Sequence, residues 1–413
     1  MRDPNTVVDV LIVGCGPAGS TAANLLAQAG RSVRVLEREQ FPRFHIGESL
    51  LPIDLPLFER LGVGLGLEVD GRAYQFKQGA EFWDERTGDF AFFSFADAMA
   101  GTPPSAWQVE RATFDAMLAE QARARGAELR FGVTVRDMQV DADGVTVTDE
   151  TGAQHHARYL FDATGQDAWL GRKARSVSPI RELGRAAVFT HFEGLSPAVR
   201  AELDPQGNIK VLLVEDGWHW LIPLVGGRLS VGLVKWRGKL DEAALEAAIA
   251  ASPLIQRLTA GARRGPTRTI ANWSYKNTQL AGSRWACVGD AAAFLDPVFS
   301  SGVSLAMLGA EKAVDLLLPA LEAGHEADPR LMAPWAAHMQ PAYDAFEQLI
   351  RRFYHTRLVH HLFFAAEPDP ALRRGLISVL AGDVWRRDNP FQTMLESSRL
   401  HARPQEKDLQ SAT

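Results

Sequence analysis

The sequence predicts an α/β fold with an inserted antiparallel-sheet region and a helical C-terminal region, and three observations predict it. Val7–Arg38 reads as strand, glycine turn, helix and strand. Residues 186 to 236 carry four apolar strand-like runs in succession, separated by turn residues. From Glu311 onward the apolar spacing is helical.

Val7–Val13 is too short to span a membrane and suits a buried parallel strand. Gly14, Gly16 and Gly19 then open the helix Pro17–Ala29, with Pro17 and Ala18 in its first turn. Gly14 permits the tight turn, Gly16 lets a diphosphate approach the backbone, and Gly19 lets helix and strand pack closely. The helix start offers free N–H groups and a positive dipole end to that diphosphate. Glu37, with Arg38 beside it, ends the strand Val33–Leu36 at about the ~20-residue distance from which an acid takes a ribose hydroxyl. Together these residues predict a Rossmann-like unit that binds an adenine dinucleotide.

A chain of 413 residues has room for two to three domains. The formal net charge of −6 argues against nucleic acid as a main partner. Cys15 and Cys287 are too few for a disulfide framework or a zinc site, which fits a reducing cytoplasm. Cys15 reads as a small filler within the glycine turn. Asp9 interrupts the first apolar run, so no signal peptide is expected, and no run is long enough for a transmembrane helix.

Residues 39 to 52, EQFPRFHIGESLLP, are broken by Pro42, Gly47 and Pro52, and precede a helix expected at Leu50–Leu61. GCGPAG followed by FPRFHIGESLLP resembles the FAD-dependent monooxygenase superfamily. The resemblance is strongest to the branch holding flavin-dependent halogenases and geranylgeranyl-reductase-like proteins. It implies FAD as the dinucleotide, a glutathione-reductase-like cofactor domain, and a mobile strap at roughly Phe41–Ser49 that brings Ile46, Gly47, Glu48 and Ser49 to the cofactor.

Ala73–Phe76, Ala80–Trp83 and Phe90–Ser94 read as strands of a second sheet. Lys77 sits among apolar and aromatic residues. Such a lysine either snorkels from a strand end or, in a partly dry pocket, has a lowered pKa and acts as acid, donor or nucleophile. Ala106–Gln108 returns to the cofactor domain, and a helix follows, closed by Gly126. Arg111 with Phe114 and Asp115 resembles the superfamily's helix start, whose arginine approaches FAD. Leu129–Phe131, Thr134–Val140, Val145–Asp149 and Arg158–Phe161 read as strands, with a hairpin turn at Asp141–Gly144. Asp162–Gly165 (DATG) resembles the strand end that packs on the adenosine half. The stretch after Gly165 lacks the GADGxxSxxR-like pattern of self-sufficient hydroxylases, which implies a separate flavin reductase.

Ala186–Phe192, Ile209–Val214, Trp218–Leu224 and Leu229–Trp236 predict one large sheet roofing the flavin. Alternation puts Trp218, Trp220 and Ile222 on one face and His219 and Leu221 on the other. Period alone makes this a tryptophan-rich core strand. The string WHWLIP, ending at Pro223, resembles the W-x-W-x-I-P signature of flavin-dependent halogenases, in which the tryptophans wall off the flavin; His219 holds the variable position. Helices at Asp241–Ile249 and Pro253–Leu258, a strand at Thr267–Trp273 and another at Trp285–Val288 follow.

Gly289 and Asp290 then resemble the second FAD fingerprint. Phe294, Pro297, Ser300 and Gly302 match the halogenase pattern F-x-x-P-x-x-S-x-G. A glycine-bearing turn opening a helix at Val303–Leu318 points N–H groups into the site and favours an anion. The resemblance implies chloride or bromide against the N–H groups of Ser301 and Gly302, FAD contacts from Pro297, Gly302 and Val303, and Ser300 facing the reaction space near Lys77.

Helices are expected at Pro329–Arg352, Phe353–Phe364, Pro370–Ala381 and Pro390–Leu400, with His401–Thr413 frayed. Seven arginines stand against four acids between Arg351 and Asp388, which describes a solvated face or a docking patch for an acidic carrier protein. The expected organisation is a discontinuous FAD-binding domain (1–72, 106–175, 284–328), an antiparallel-sheet substrate domain (73–105, 176–283) and a helical C-terminal region (329–413).

Lys77, WHWLIP and FLDPVFSSG occur together in the order of the flavin-dependent halogenases. The resemblance implies an enzyme in which reduced FAD, oxygen and halide give hypohalous acid, and in which Lys77, with Ser300 as the second catalytic residue, aims that oxidant at an electron-rich aromatic carbon. Tryptophan-type members carry a glutamate before the motif serine, where this chain has Phe299, and have longer C-terminal regions. The chain more closely resembles the phenol- and pyrrole-type halogenases, which implies a natural-product intermediate, free or carrier-bound, as substrate; no nucleic acid or membrane partner is expected. Two alternatives stay open: an FAD monooxygenase or reductase without halide chemistry, and a non-catalytic flavoprotein.

Overall fold

The apolar run Val8–Val13 becomes the central strand of a mostly parallel sheet, flanked by Val33–Glu37 on one side and Gln154–Asp162 on the other. Glu128–Phe131 and Trp285–Cys287 extend that sheet outward in parallel register. This computed structural model describes residues 6–64, 74–183, 185–236, 238–355 and 359–397. Ala73, Arg357 and the expected frayed tail His401–Thr413 lie outside the described residues. The helix Pro17–Gln28 covers one face of the sheet and packs along two further helices, Arg111–Ala124 and Ser301–Ala323. Gly14 has φ of +99°, and a Cβ there would stand 2.3 Å from the Ala163 carbonyl oxygen. A Cβ on Gly19 would stand 2.0 Å from the Gly14 oxygen, so helix and turn touch where the glycine spacing predicts.

The roof is a second large sheet, running from Arg263–Arg264 through Ala186–Glu193, Arg228–Lys235, Gly217–Leu224, Ile209–Val214 and Gly79–Asp84 to Asp89–Ser94. Its pairs are antiparallel as expected, except that Ile209–Val214 runs parallel to Gly79–Asp84. No hairpin constrains that pair, because the chain builds much of the core sheet between them. Gln75–Lys77 stands apart from the roof and, among the described residues, pairs with Ala106–Gln108 alone. The strand expected at Thr267–Trp273 covers Arg268–Ala271 and stops before Asn272, whose φ is +57°.

Helix boundaries shift for local reasons. The helix expected at Leu50–Leu61 is a 3-10 turn, Pro52–Asp54, followed by Leu55–Leu61, since Pro52 and Pro56 fit only the first positions of such elements. The helix expected from Val303 begins at Ser301 and runs to Ala323, where Gly324 closes it at φ +70°. The expected break at Phe353 is absent. Met339, Tyr343, Phe346, Ile350 and Phe353 keep one apolar stripe buried, so Ala333–His355 is a single helix.

Four of the C-terminal arginines are engaged by neighbouring groups among the described residues. Arg352 is buried on the Leu395 carbonyl, Arg351 pairs with Glu182 and Glu347, Arg373 donates to the Phe92 carbonyl, and Arg386 pairs with Asp383. Among the described residues no helix is long and apolar enough to cross a membrane, and no His, Cys, Asp or Glu cluster could hold a metal ion.

Candidate active site

A cavity of about 870 Å³ runs between core sheet and roof. One end is walled by Gly14, Gly16, Pro17, Ala18, Glu37 and Arg38. Its middle is walled by Ile46, Gly47, Glu48, Ser49, Arg111 and Asp290. The far end is closed by Trp218, Trp220 and Ile222 above Pro297, Ser300, Gly302 and Val303. Strand alternation delivers the roof side chains, and Gly232 makes room for one of them, since a Cβ there would stand 2.1 Å from the Trp220 ring.

Five of the residues singled out in the sequence do not line this cavity. Gly19 serves packing, and Gly289 lies beneath Ala18. Pro223 falls out of step with the inward face. Ser301 is buried. Lys77 stands one layer back, 1% exposed, with its ammonium donating to the Ser49 hydroxyl at 2.9 Å and the Leu50 carbonyl at 2.8 Å, above the Phe95 ring.

The segment 41–49 is held both by the helix Arg111–Ala124 and by the roof sheet. Arg111, ion-paired with Asp115, donates to the Ile46 carbonyl at 2.7 Å. Arg43 reaches the same Asp115, while Glu48 meets His191 of the roof at 2.6 Å. Phe44 stacks on Phe189, and the Arg268 guanidinium lies 3.8 Å from its ring centroid.

The residues present fit FAD. The Glu37 carboxylate is held beside the glycine turn by the N–H groups of Cys15 and Glu39, at 2.7 and 2.9 Å, which leaves lone pairs for hydroxyls such as those of a ribose. The Asp290 carboxyl makes no hydrogen bond to any described residue, and burial pushes it up to about 7 against the opposing Arg111. An acceptor on the cavity wall with no protein partner suits a hydroxyl donor from the ligand, such as a ribityl chain. Burial pushes the Cys15 thiol up to about 12, consistent with an inert filler.

At the far end the helix Ser301–Ala323 begins with free N–H groups and no acid in its first turn. Ser300, at φ +57°, turns the backbone so that this helix start faces the cavity. An anion is the ligand that such a terminus favours.

Four further residues escaped sequence reasoning. Asp54 is fully buried, accepts from Ser304 at 2.8 Å, and has its second oxygen unpaired among the described residues. Burial raises its carboxyl to about 7, and burial lowers the Lys77 ammonium to about 7, each charge opposing the shift of the other. Asp296 and Tyr354 hydrogen-bond beneath Trp218, and His191 grips the strap. Asp54 and Asp296 were detectable as lone acids inside the apolar runs LLPIDLPLF and FLDPVF. Tyr354 and His191 carry no such signal.

The family model described as tryptophan halogenase matches residues 9–104 and 96–366. The chain is 31% identical over 415 residues to a 1H-pyrrole-2-carbonyl-(peptidyl-carrier protein) brominase of Pseudoalteromonas luteoviolacea, covering 94% of this chain and 96% of that one. Among solved structures it is similar to a flavoprotein/dehydrogenase from Cytophaga hutchinsonii, at 30% identity and TM-score 0.84 over 95% and 98% of the two chains. It is also similar to a triple-substituted form of the flavin-dependent brominase Bmp2, at 27% identity and TM-score 0.81 over 94% and 97%.

Proposed function

The chain belongs to the tryptophan-halogenase family of flavin-dependent halogenases, and from that premise we propose that it halogenates a phenolic or pyrrole-type intermediate, free or carrier-tethered, rather than free tryptophan. It is an enzyme that uses reduced FAD, oxygen and chloride or bromide on aromatic substrates. The observation that carries the substrate reading is Phe299, a buried aromatic ring packed on Phe353 where tryptophan-type enzymes place a carboxylate. The brominase relative, whose substrate is a carrier-bound pyrrole, supports the tethered form.

Reduced FAD supplies the oxygen activation that turns halide into hypohalous acid. We assign the N–H groups of Ser301 and Gly302 to halide and the Ser300 hydroxyl to the adjoining reaction space. Trp218 and Trp220 keep water and the organic substrate away from the flavin end of the cavity, where hydroxylation would otherwise compete. To Lys77 we assign the capture or hydrogen-bonding of the oxidant and its aim at the aromatic carbon, acting through Ser49, which stands between the lysine and the cavity. A separate flavin reductase provides reduced FAD. Two buried free cysteines support a reducing, cytoplasmic setting.

The test supplies the protein with reduced FAD, oxygen and bromide, and offers a pyrrolyl-carrier protein, a simple phenol and free tryptophan in parallel. Bromide-dependent mass gain on the carrier or the phenol supports the proposal. Gain on tryptophan alone overturns the substrate reading, and products indifferent to bromide overturn the halide chemistry.

A further inference from the structure

One buried carboxylate joins the roof to the turn that leads into the anion-favouring helix start. Asp296 caps the 3-10 turn Pro297–Phe299, its Oδ1 accepting the Val298 N–H at 3.0 Å. The same carboxylate receives the Tyr354 hydroxyl, which lies 2.9 Å from Oδ1 and 3.0 Å from Oδ2. The Tyr354 oxygen in turn accepts the indole N–H of Trp218 at 3.2 Å. Trp273 adds a longer contact to Asp296 Oδ2 at 3.4 Å, and the Arg185 guanidinium lies 5.0 Å from the Tyr354 ring centroid. Trp218, Trp273 and Asp296 are each at most 2% exposed, so water does not compete for these bonds.

Three distant segments meet here: the roof strand Gly217–Leu224, the turn before Ser301, and the last turn of the helix Ala333–His355. We propose that Asp296 and Tyr354 are positioning residues that lock the Trp218 ring and the 297–302 turn into one arrangement, so that halide capture and shielding of the flavin end are set together. Neither residue touches the reacting atoms. The tyrosine fixes the tilt of the wall ring, the aspartate fixes the turn that aims the Ser301 and Gly302 N–H groups, and their mutual bond couples the two. This rests on the halide assignment made above.

The experiment separates the two ideas. Protein labelled with 5-fluorotryptophan is examined by fluorine NMR, with the Trp218 signal assigned by its loss in Trp218→Phe. Tyr354→Phe keeps the ring and removes both hydroxyl bonds, so the Trp218 signal should move or broaden. In the same variant, bromide needed for half-maximal product should rise about five- to tenfold, the weight of a buried hydrogen bond or two, and more of the reduced flavin should end as peroxide. Asp296→Ala should show both effects, and Asp296→Asn, which retains an acceptor for Val298 and Tyr354, should largely restore them. A Trp218 signal that stays in place in Tyr354→Phe, or a bromide requirement within about twofold of wild type, overturns the positioning role. If the wild type forms no halogenated product, the halide assignment falls, while the NMR arm still decides whether Asp296 and Tyr354 position Trp218.

Discussion

Lys77 and Ser49 are joined by a 2.9 Å hydrogen bond, and Ser49 is the point at which this buried lysine meets the cavity wall. The cation has no contact with solvent, and its burial is offset by Ser49, the Leu50 carbonyl and the Phe95 ring. Lys77→Ala should abolish halogenated product, a loss of at least about 100-fold by analogy with general acid–base groups, while reduced FAD is still reoxidised. Ser49→Ala should leave partial activity. Product analysis beside flavin reoxidation checks both, and a Lys77→Ala variant that halogenates normally removes the lysine from the chemistry.

The neighbouring Asp54 gives a prediction about pH. Its carboxylate raises the Lys77 pKa, which burial holds at about 7. Asp54→Asn should therefore move the Lys77 inflection in the pH profile of product formation to lower pH. Stability changes as well. The Asp54 carboxyl is raised from 3.8 to about 7, so its contribution is fully present below pH 3.8 and is lost as pH rises through 7. The melting temperature of Asp54→Asn relative to wild type should accordingly be higher at pH 8 than at pH 5. An equal difference at both pH values would contradict the assignment.

Glu37 tests the adenosine end. Its carboxylate takes two backbone N–H groups and lines the cavity. Glu37→Ala should weaken FAD binding about 10- to 100-fold, the range for one or two charge-assisted hydrogen bonds. Flavin fluorescence titration reads this directly, and unchanged affinity would place the adenine dinucleotide elsewhere.

Gly232 tests the wall. Any side chain there collides with the Trp220 ring, whose indole N–H is already fixed on Ser230 at 3.1 Å. Gly232→Ala should destabilise the protein by about 1–3 kcal/mol, the usual cost of overpacking, and should raise the share of reduced flavin lost to peroxide. Urea denaturation and a peroxide assay check the two effects. A variant with wild-type values in both would mean that the ring is free to move.

Local features were legible in the sequence. The turn at Gly14–Gly19 and the inward set Trp218, Trp220 and Ile222 each follow from spacing within one element, and the structure reproduces them. What escaped depends on segments that meet only in three dimensions. Asp54 finds Ser304 and Tyr354 finds Asp296 across sequence separations of 250 and 58 residues, which no periodicity records. The parallel pairing of Gly79–Asp84 with Ile209–Val214 escaped for the same reason, since hairpin reasoning only links neighbours. Lys77 was singled out by its apolar flanks and a motif, yet its place one layer behind the cavity wall required the strand partner Ala106–Gln108.

The late arrival of that roof strand has a bearing on synthesis. Gly79–Asp84 cannot find Ile209–Val214 until residues 85 to 208 have been made, and Trp218 gains its tyrosine partner only with the last turn of Ala333–His355. A nascent or prematurely ended chain therefore exposes an unroofed lysine and a partial nucleotide unit, but lacks the assembled wall and anion turn. Truncated products should be chemically silent, so an enzyme that handles a diffusible oxidant acquires its full hazard only when its containment is complete.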